Sequence, residues 1–305
     1  MKNILDNILN ECKEHTKYGK VATYIPELAK ADSSAFGISL ITDQNELLTA
    51  GDCEVKFTMQ SVVKPMILLL ALLDRGLEPV RALVGLEATG KPFDTFNYSD
   101  RALTGEHINP MVNAGAIALL TLINGESFAD KFDRLLSFTR HLAKNEELCV
   151  DEAVYLSEKA TGSKNRALAY MLKAYGMIDC EVEEVVDIYF RACSISVTSR
   201  DLARIARVLS LHGEDPDTHE QLFEREYARY VNAVLAICGM YDGSGEFAFR
   251  VGVPAKSGVG GGIMAVVPGR MGIGIYAPAL DKKGNSSAGV HALELLNREL
   301  NLSVF

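Results

Sequence analysis

A serine and a lysine stand three residues apart in the stretch "FTMQSVVKPM", as Ser61 and Lys64, just where a long apolar run begins. If Ser61 lies in the first turn of a helix over 62–77, Lys64 lies one turn further on the same face, with its ammonium in reach of the hydroxyl. A serine is a poor nucleophile until a base takes its proton, and a lysine can be that base only if burial or a nearby cation lowers its pKa. The pair therefore indicates a nucleophile and its base in a buried cleft.

The spacing of Ser61 and Lys64 is weak support when it is taken alone. Serine is preferred at helix N-termini, where it caps free backbone N–H groups, and the lysine could be an ordinary exposed residue. The apolar surroundings of the lysine favour the chemical interpretation, because burying an unpaired charge is costly. Its neighbours in the chain are Val62, Val63, Pro65, Met66 and Ile67.

A second lysine lies in the late stretch "PAKSGVGGGI", residues 254–263. Its Lys256-Ser257-Gly258 sequence resembles the Lys-Thr-Gly strand of penicillin-recognising serine enzymes, which supplies a cation near a Ser-Lys pair and backbone N–H groups for an oxyanion hole. A P-loop does not fit, because the lysine precedes the glycines. A tight strand turn would also explain the glycines, and it is compatible with the catalytic interpretation.

Composition and charge restrict the kind of partner. The chain has 305 residues, 48% of them hydrophobic, and a formal net charge of −9. These values are typical of a globular protein with a small-molecule site, and they argue against nucleic acid or an anionic membrane as a partner. No apolar run approaches the ~20 residues of a spanning helix, and the first twenty residues predict a surface helix instead of a signal peptide.

The cysteines and histidines give no sign of a metal centre. Six cysteines are scattered without CxxC spacing, and six histidines form no HExxH pair. We therefore expect reduced cysteines, a cytoplasmic location and no structural metal. Catalysis by a serine with a lysine as its base needs neither a metal nor an organic cofactor.

Periodicity predicts strands at both ends of the chain and helices between them. The segment "AFGISLITDQNELLTAGD" predicts a hairpin with a turn at Gln44-Asn45. Three late strands are predicted at 247–251, 262–267 and 271–276, followed by a closing helix at 289–300. Helical spacing predicts seven helices in the middle, at 62–77, 112–123, 128–144, 151–161, 165–175, 199–212 and 221–238.

The order of these elements predicts an α+β fold. The hairpin and the late strands can pair into one antiparallel sheet, with the first and last helices covering a face. We expect a discontinuous sheet domain of residues 1–60 and 240–305 and a helical domain of residues 61–239. The active site is expected at the seam between them.

Several longer motifs resemble the bacterial-type serine-dependent glutaminases, a family of the β-lactamase and penicillin-binding-protein superfamily. The resemblance covers nearly the whole chain and implies a β-lactamase and transpeptidase-like fold. The motifs occur in the family's order, as "YIPELA" at 24–29, "MQSVVKP" at 59–65, "NPMVNAGAI" at 109–117, "SEKATGSKNRALAYML" at 157–172, "YFRACSISVTSRDLA" at 189–203 and "MYDGSGEFAFRVGVPAKSGVGGGI" at 240–263.

The resemblance also implies roles for individual residues. Ser61 would be the acylated nucleophile and Lys64 its base. The backbone N–H groups of Val259 and Ser61 would form the oxyanion hole, and Lys256 would supply the second cation. Glu158 would neutralise the substrate's ammonium. The remaining residues would move protons or bind the amino-acid substrate, and they are Tyr24, Gln60, Asn113, Asn165, Tyr189 and Tyr241.

Each of these side chains also has an ordinary structural explanation. Asn113 and Asn165 could cap helices, Glu158 could lie on a solvated face, and the tyrosines could lie at the edge of the core. One position departs from the family pattern, since Ala192 stands where glutamine is frequent, and this puts the hydrogen bonding behind Tyr189 in question.

The resemblance predicts hydrolysis of L-glutamine to L-glutamate and ammonia through a γ-glutamyl ester on Ser61, in a homo-oligomer that is a dimer or a tetramer. Two alternatives stay open. A penicillin-recognising hydrolase would share Ser61, Lys64 and Lys256 but would normally be exported. Such an enzyme would not need Glu158 as a partner for a substrate ammonium. A ligand-binding module on the same fold would carry no acyl group.

Overall fold

The structure is a computed structural model that describes residues 2–88 and 108–305. Its larger sheet has five strands in the order β2-β1-β8-β7-β6, and each neighbouring pair is antiparallel. Three short strands form a second sheet in the order β3-β5-β4. The strands are β1 (Gly37–Ile41), β2 (Leu47–Gly51), β3 (Phe57–Thr58), β4 (Cys149–Val150), β5 (Ile195–Val197), β6 (Ala255–Ser257), β7 (Gly262–Val267) and β8 (Met271–Tyr276).

The pairing of β1 with β8 joins the two ends of the chain in one sheet, as the sequence predicts. Gly37 pairs with Tyr276, and Ile41 pairs with Gly272. The hairpin is also confirmed, and Asn45 in its loop has a φ of 58°, a left-handed conformation that asparagine adopts more readily than most residues.

The helices cover both faces of the sheet and fill the middle of the chain. The first and last helices pack together and share an apolar core with one face of the sheet. The described helices are α1 (Lys2–His15), α2 (Lys64–Arg75), α3 (Leu77–Leu83), α4 (Asn113–Leu120), α5 (Phe128–Ala143), α6 (Glu152–Thr161), α7 (Ser163–Ala174), α8 (Val182–Cys193), α9 (Ser199–Ser210), α10 (Arg225–Cys238), α11 (Ser244–Arg250) and α12 (Ser287–Leu300).

Two glycines of β8 allow helix α9 to lie directly on the other face of the sheet. A Cβ on Gly272 would lie 2.2 Å from the Ala203 carbonyl oxygen, and one on Gly274 would lie 1.9 Å from that of Ser199. Only glycine permits so close an approach of helix and strand backbones. The alternation of glycine with Ile273 and Ile275 therefore buries the isoleucines on one face and seats α9 on the other.

The predicted strand at 247–251 is wrong, because this segment lies largely in helix α11. Phe247, Phe249 and Val251 alternate as in a strand, but a helix places Phe247 and Val251 one turn apart on the same face. Both are buried, whereas Phe249 is 89% exposed. The third late strand is instead β6, which carries Lys256. Helix α8 was missing from the predicted set.

Two large apolar clusters divide the core between the sheet and the helical middle. The smaller cluster takes its residues from 5–50 and 240–302, whereas the larger one lies mainly within 57–238. Met264, Val266 and Tyr276 of the sheet belong to the larger cluster, so the two cores meet across the sheet. The domain boundaries at residues 60 and 240 stay a prediction. Within 2–88 and 108–305, no helix has the length and apolarity to cross a bilayer.

Candidate active site

The serine and lysine of the opening motif lie side by side where α2 begins. Ser61 sits in a 3₁₀ turn, Gln60–Val63, and Lys64 is the first residue of the α-helix that follows. The Lys64 Nζ lies 2.9 Å from the Ser61 Oγ. Gln60, immediately before the serine, has a φ of 48°, a strained conformation for a residue with a side chain, and such residues are concentrated at functional sites. The tight turn sets the serine hydroxyl against the lysine.

Burial brings the pKa of Lys64 into the range that a general base needs. The side chain is fully buried, and burial is the largest effect, lowering the pKa from 10.5 to about 8, while the negative charge of ionised Glu158 opposes the change. At pH values near 8, a substantial fraction of the amine is therefore neutral and can accept a proton from Ser61.

Asn113 links the lysine to other polar side chains of the site. Its Oδ1 accepts hydrogen bonds from Lys64 Nζ at 2.7 Å and from the Tyr189 hydroxyl at 3.0 Å. Its Nδ2 donates to the Asn165 Oδ1 at 2.8 Å. Because Asn113 opens α4, Tyr189 lies on α8 and Asn165 lies on α7, this network fixes three helices around the Ser61-Lys64 pair.

Tyr241 lies next to Ser61. It lies in a 3₁₀ turn, Tyr241–Gly243, with a φ of 53°. Burial raises the pKa of its phenol well above the usual value, and hydrogen bonding with Ser61 opposes that rise. The phenol is thus protonated at neutral pH and lies next to the proposed nucleophile.

Lys256 lies behind this arrangement. Its Nζ donates to the carbonyl oxygens of Gly239 at 3.0 Å and Ser257 at 2.6 Å, and it lies 4.4 Å from the centre of the Tyr241 ring. Burial, followed by the charge of Lys64, lowers its pKa well below the usual value. The second lysine therefore contacts backbone carbonyls and a phenol ring.

The loop between β6 and β7 brings Val259 to the serine. A Cβ on Gly258 would lie 2.6 Å from the Met59 carbonyl oxygen, and one on Gly260 would lie 2.6 Å from that of Thr58. The two glycines thus let the loop pack directly on the backbone that leads into Ser61, with Val259 between them. This contact explains why Gly258 and Gly260 are needed, and it holds the loop that carries Val259 against the backbone that leads into Ser61.

Glu158 is a buried carboxylate at the other end of the site. Gln60 Nε2 donates to its Oε2 at 3.3 Å, and Gln60 also donates to the Thr58 hydroxyl at 3.3 Å. Burial raises the pKa of Glu158 from 4.5 to about 8, against the effects of hydrogen bonds from Gln60 and Cys193 and of the charge on Lys64. A cation entering next to this group would stabilise its ionised form.

These side chains surround a cavity of about 390 Å³. Tyr24 is 57% exposed and lies at its rim. Lys64, Tyr241 and Lys256 are the predicted residues that are not part of its lining. Eight of the predicted residues line the cavity, and they are Tyr24, Gln60, Ser61, Asn113, Glu158, Asn165, Tyr189 and Val259.

Sequence reasoning missed several residues of this cavity. Cys193 follows Tyr189 by four residues on α8, so helical spacing within "YFRACS" could have revealed that the thiol shares its face. Lys164 precedes Asn165 directly in the motif "ATGSKN". Ala192, where the family pattern often has glutamine, is fully buried in the larger core. The other missed residues are Ile25, Thr161, Gly162 and Ser163.

The class of the protein follows from this architecture. A Ser-Lys pair lies where a five-stranded antiparallel sheet meets a helical block, and a glycine-rich loop of the sheet packs beside the serine. This is the β-lactamase-like fold, which the α+β prediction anticipated.

Comparison with known proteins identifies the family. The family model called Glutaminase matches residues 19–305. A glutaminase of Clostridioides difficile (strain 630) is 50% identical over 304 residues, covering 100% of this chain and 98% of that protein. A solved structure of Mglu in its tris and glutamate form has a TM-score of 0.95 and 38% identity, covering 100% of this chain and 67% of that one.

A further solved structure is the covalent complex between the Bacillus subtilis glutaminase YbgJ and 5-oxo-L-norleucine, formed by reaction of that protein with 6-diazo-5-oxo-L-norleucine. It has a TM-score of 0.90 and 36% identity, and the match covers 99% of each chain. The chain described here belongs to the glutaminase family. The family and the activity predicted from the sequence are confirmed.

Proposed function

We propose that the cavity binds L-glutamine and hydrolyses its side-chain amide through an ester on Ser61. The observation that carries this proposal is the 2.9 Å contact between Ser61 Oγ and a buried Lys64 whose pKa is lowered to about 8. Neutral Lys64 takes the hydroxyl proton as Ser61 attacks the amide carbonyl. The proton passes to the amide nitrogen, the C–N bond breaks and ammonia leaves. Water then hydrolyses the γ-glutamyl ester, with Lys64 again as the base.

The developing negative charge on the carbonyl oxygen needs hydrogen-bond donors. We assign this role to the backbone N–H groups of Ser61 and Val259, which the close packing of Gly258 and Gly260 supports. Lys256 contacts the carbonyl of Ser257, at the start of the same loop, and the ring of Tyr241. In this mechanism Lys256 holds the oxyanion loop and Tyr241 in place through these contacts, and because its pKa is lowered the mechanism does not depend on its positive charge.

The amino-acid end of glutamine is assigned to the other end of the cavity. Glu158 receives the ammonium, with Gln60 beside it, and the substrate charge draws the proton off the carboxyl group. Asn165 and Tyr24, which line the cavity, offer neutral donors to the substrate carboxylate. Tyr241, for which the resemblance implies the same role, lies outside the cavity lining and next to Ser61, so we assign it to the reacting end instead. Asn113 accepts a hydrogen bond from Lys64, and Tyr189 donates to the same amide oxygen, so the two residues together hold Lys64 in place.

We also propose a location and a subunit state for the enzyme. The enzyme acts in the cytoplasm, in keeping with six cysteines that are all free thiols. It works as a homo-oligomer, a dimer or a tetramer, as the family resemblance implies. Sedimentation of the purified protein would decide the number of subunits.

An ammonia-release assay tests the proposal. We expect release from L-glutamine, much less from L-asparagine, whose shorter side chain cannot bring its carbonyl to Ser61 while its ammonium lies at Glu158, and no turnover of the β-lactam nitrocefin. Nitrocefin hydrolysis without release of ammonia would favour a penicillin-recognising enzyme. Binding of glutamine without either reaction would favour a ligand-binding module.

A further inference from the structure

The cavity wall has a small apolar part that the proposed mechanism does not use. Among the described residues that line the cavity, only Ile25 and Val259 have purely hydrocarbon side chains. Both are buried, at 3% and 6% exposure, and both belong to a third apolar cluster, apart from the two that form the core. This cluster consists of Ala22, Ile25, Leu28, Val154, Val259 and Leu280. It presents two aliphatic side chains to a cavity whose other described walls are mainly polar.

Ile25 has a fixed position in this wall. The next residue is a proline, which restricts Ile25 to extended conformations, and its φ of −109° and ψ of 105° agree. Its side chain is branched at Cβ and has few rotamers. Before it, Lys20 and Leu280 exchange two backbone hydrogen bonds of 2.9 Å. After it, the Glu27 N–H donates to the Ser157 hydroxyl at 3.3 Å. The segment is therefore tied down on both sides of Ile25.

The apolar pair lies between the two ends of the site. Val259 belongs to the glycine loop that packs on the backbone leading into Ser61, where the amide reacts. Ile25 lies two residues before Glu27, which is hydrogen-bonded to the neighbour of Glu158 in α6. Glutamine has two methylene groups between the carbon that carries its ammonium and its amide carbon. With the ammonium at one end and the amide at the other, these methylene groups lie along the apolar pair.

We propose that Ile25 is a specificity-determining residue, whose side chain packs against the methylene groups of glutamine and limits branching on that side. This inference rests on the proposed function. Contact between apolar groups contributes through the area that it removes from water, and a methylene group in an apolar pocket changes kcat/KM by roughly tenfold or more. Polar groups hold the two ends of the substrate, and the apolar pair distinguishes its middle.

Ile25→Ala tests this role by removing most of the contact. The two ends of glutamine keep their partners, so kcat should change little while KM rises roughly tenfold. The vacated space should admit γ-methyl-L-glutamine, which carries a methyl group on the methylene next to the amide. The ratio of its kcat/KM to that of glutamine should rise roughly tenfold in Ile25→Ala, for the diastereomer whose methyl group faces Ile25. Initial rates of ammonia release from each diastereomer measure this ratio.

Leu28→Ala is the matched control. Leu28 belongs to the same segment and the same apolar cluster, but it lines a neighbouring cavity and not the active-site cavity. This variant should lose stability while its substrate ratio stays within about twofold of the parent's. A merely structural role for Ile25 would lower activity on both substrates equally. A substrate ratio in Ile25→Ala that stays within about twofold of the parent's for both diastereomers, or that Leu28→Ala reproduces, would overturn the inference.

A milder variant decides if Ile25→Ala does not fold. Ile25→Val removes one methyl group and keeps the branch at Cβ, so the substrate ratio should rise roughly threefold. An unchanged ratio in this variant would overturn the inference.

The inference and the proposed function can fail separately. A parent that hydrolyses glutamine, with a substrate ratio that does not respond to Ile25, would overturn the inference alone. A parent that binds glutamine without releasing ammonia would overturn the proposed function. In that case calorimetric affinities for glutamine and γ-methyl-L-glutamine give the ratio, whose rise in Ile25→Ala would support the inference and whose constancy would overturn it. A parent that binds neither amino acid would overturn both.

Discussion

Two regions of the described chain each bury one basic and one acidic side chain. In one region the two charges form an ion pair, and in the other they do not. One is the active site, with Lys64 and Glu158, and the other joins Arg204, in the middle of α9, to Asp215 in the loop that follows the helix. All four residues are at most 8% exposed. Burial is therefore comparable, and the difference must come from the partners.

The charges of Arg204 and Asp215 are paired. Arg204 Nη2 lies 2.7 Å from the Asp215 Oδ2, and the backbone N–H groups of Asp217 and Thr218 donate to Oδ1 at 2.8 and 3.0 Å. Burial alone would raise the pKa of Asp215, but the bonds from Thr218, Asp217 and Arg204 lower it to about 2. This ion pair stabilises the fold.

In the active site, Lys64 and Glu158 form hydrogen bonds with neutral side chains, those of Ser61, Asn113 and Gln60. Burial moves the pKa values of Lys64 and Glu158 toward each other, to about 8 in both cases. Both groups can therefore gain or lose a proton near pH 8, or pair with a charge that the substrate carries. Incomplete pairing, and not burial itself, therefore distinguishes the reactive site from the ion pair. Strongly shifted pKa values are concentrated where chemistry occurs.

The largest effect is expected from replacing Lys64. Lys64→Arg keeps a positive charge but cannot accept the serine proton, because a guanidinium stays protonated in proteins. Activity should fall by roughly 10²–10⁴-fold, nearly as far as in Lys64→Ala. Initial rates of ammonia release measure this. An Arg variant with most of the parent's activity would show that the site needs a cation and not a base.

Replacing Glu158 should cause the next largest loss. Glu158→Gln keeps the shape of the side chain but leaves the substrate ammonium with a neutral acceptor. Losing one partner of a buried charged hydrogen bond costs on the order of 2–5 kcal/mol, so kcat/KM for glutamine should fall roughly thirtyfold to several thousandfold.

An N-acylated glutamine supplies the control for Glu158→Gln. It has no ammonium, so it should be a poor substrate for the parent and should lose much less on mutation. Comparing both substrates on both proteins cancels general damage to the fold. An equal loss for the two substrates would mean that Glu158 does not recognise the ammonium.

The pH profile of the parent tests the two groups without mutation. Lys64 must lose its proton to act as a base, and Glu158 must lose its proton to receive the ammonium. Since both pKa values are about 8, kcat/KM should rise with pH up to about that value. The rise should be steeper than one proton per pH unit at low pH, because both groups of the free enzyme contribute. A profile flat between pH 6 and 9 would contradict the proposed protonation states.

The smallest effect on activity is expected at the ion pair. Asp215→Asn should lower the free energy of unfolding by about 1.5–3 kcal/mol, the range for a hydrogen bond to a charged group, with kcat/KM unchanged. The lowered pKa means that the carboxylate stabilises the parent above pH ~4 and loses this contribution as pH falls toward 2. Thermal unfolding across this pH range should show the two proteins converging in acid. A constant difference would argue against the ion pair.

The sequence predicted those parts of the fold that depend on local pattern. Strands β7 and β8 lie where apolar runs bounded by glycine predicted them, and the hairpin closes around Asn45. The strand predicted at 247–251 was wrong because apolar residues that alternate with a period of two also fit one helical turn when Phe249 is exposed. Local pattern cannot decide such a case, since tertiary contacts determine which face is buried.

The candidate site could be predicted from the sequence only in part. The spacing of Ser61 and Lys64 predicts their contact, because a single helical turn joins them. The family resemblance placed Gln60, Asn113 and Glu158 in one site. The hydrogen bonds of Gln60 with Glu158 and of Lys64 with Asn113 join distant segments, and neither was predicted. The position of Cys193 depends on how α8 is oriented, which only the packed structure gives.

The central claim is that Ser61 carries the acyl group, and covalent labelling tests it most directly. The protein would be incubated with 6-diazo-5-oxo-L-norleucine, digested and mapped by mass spectrometry, alongside Ser61→Ala checked for the same unfolding temperature. The account predicts one adduct, on the peptide containing Ser61, absent from the Ala variant, which should also release no ammonia from glutamine. A parent that hydrolyses glutamine with no label on Ser61, or a folded Ser61→Ala that keeps substantial activity, would contradict the account.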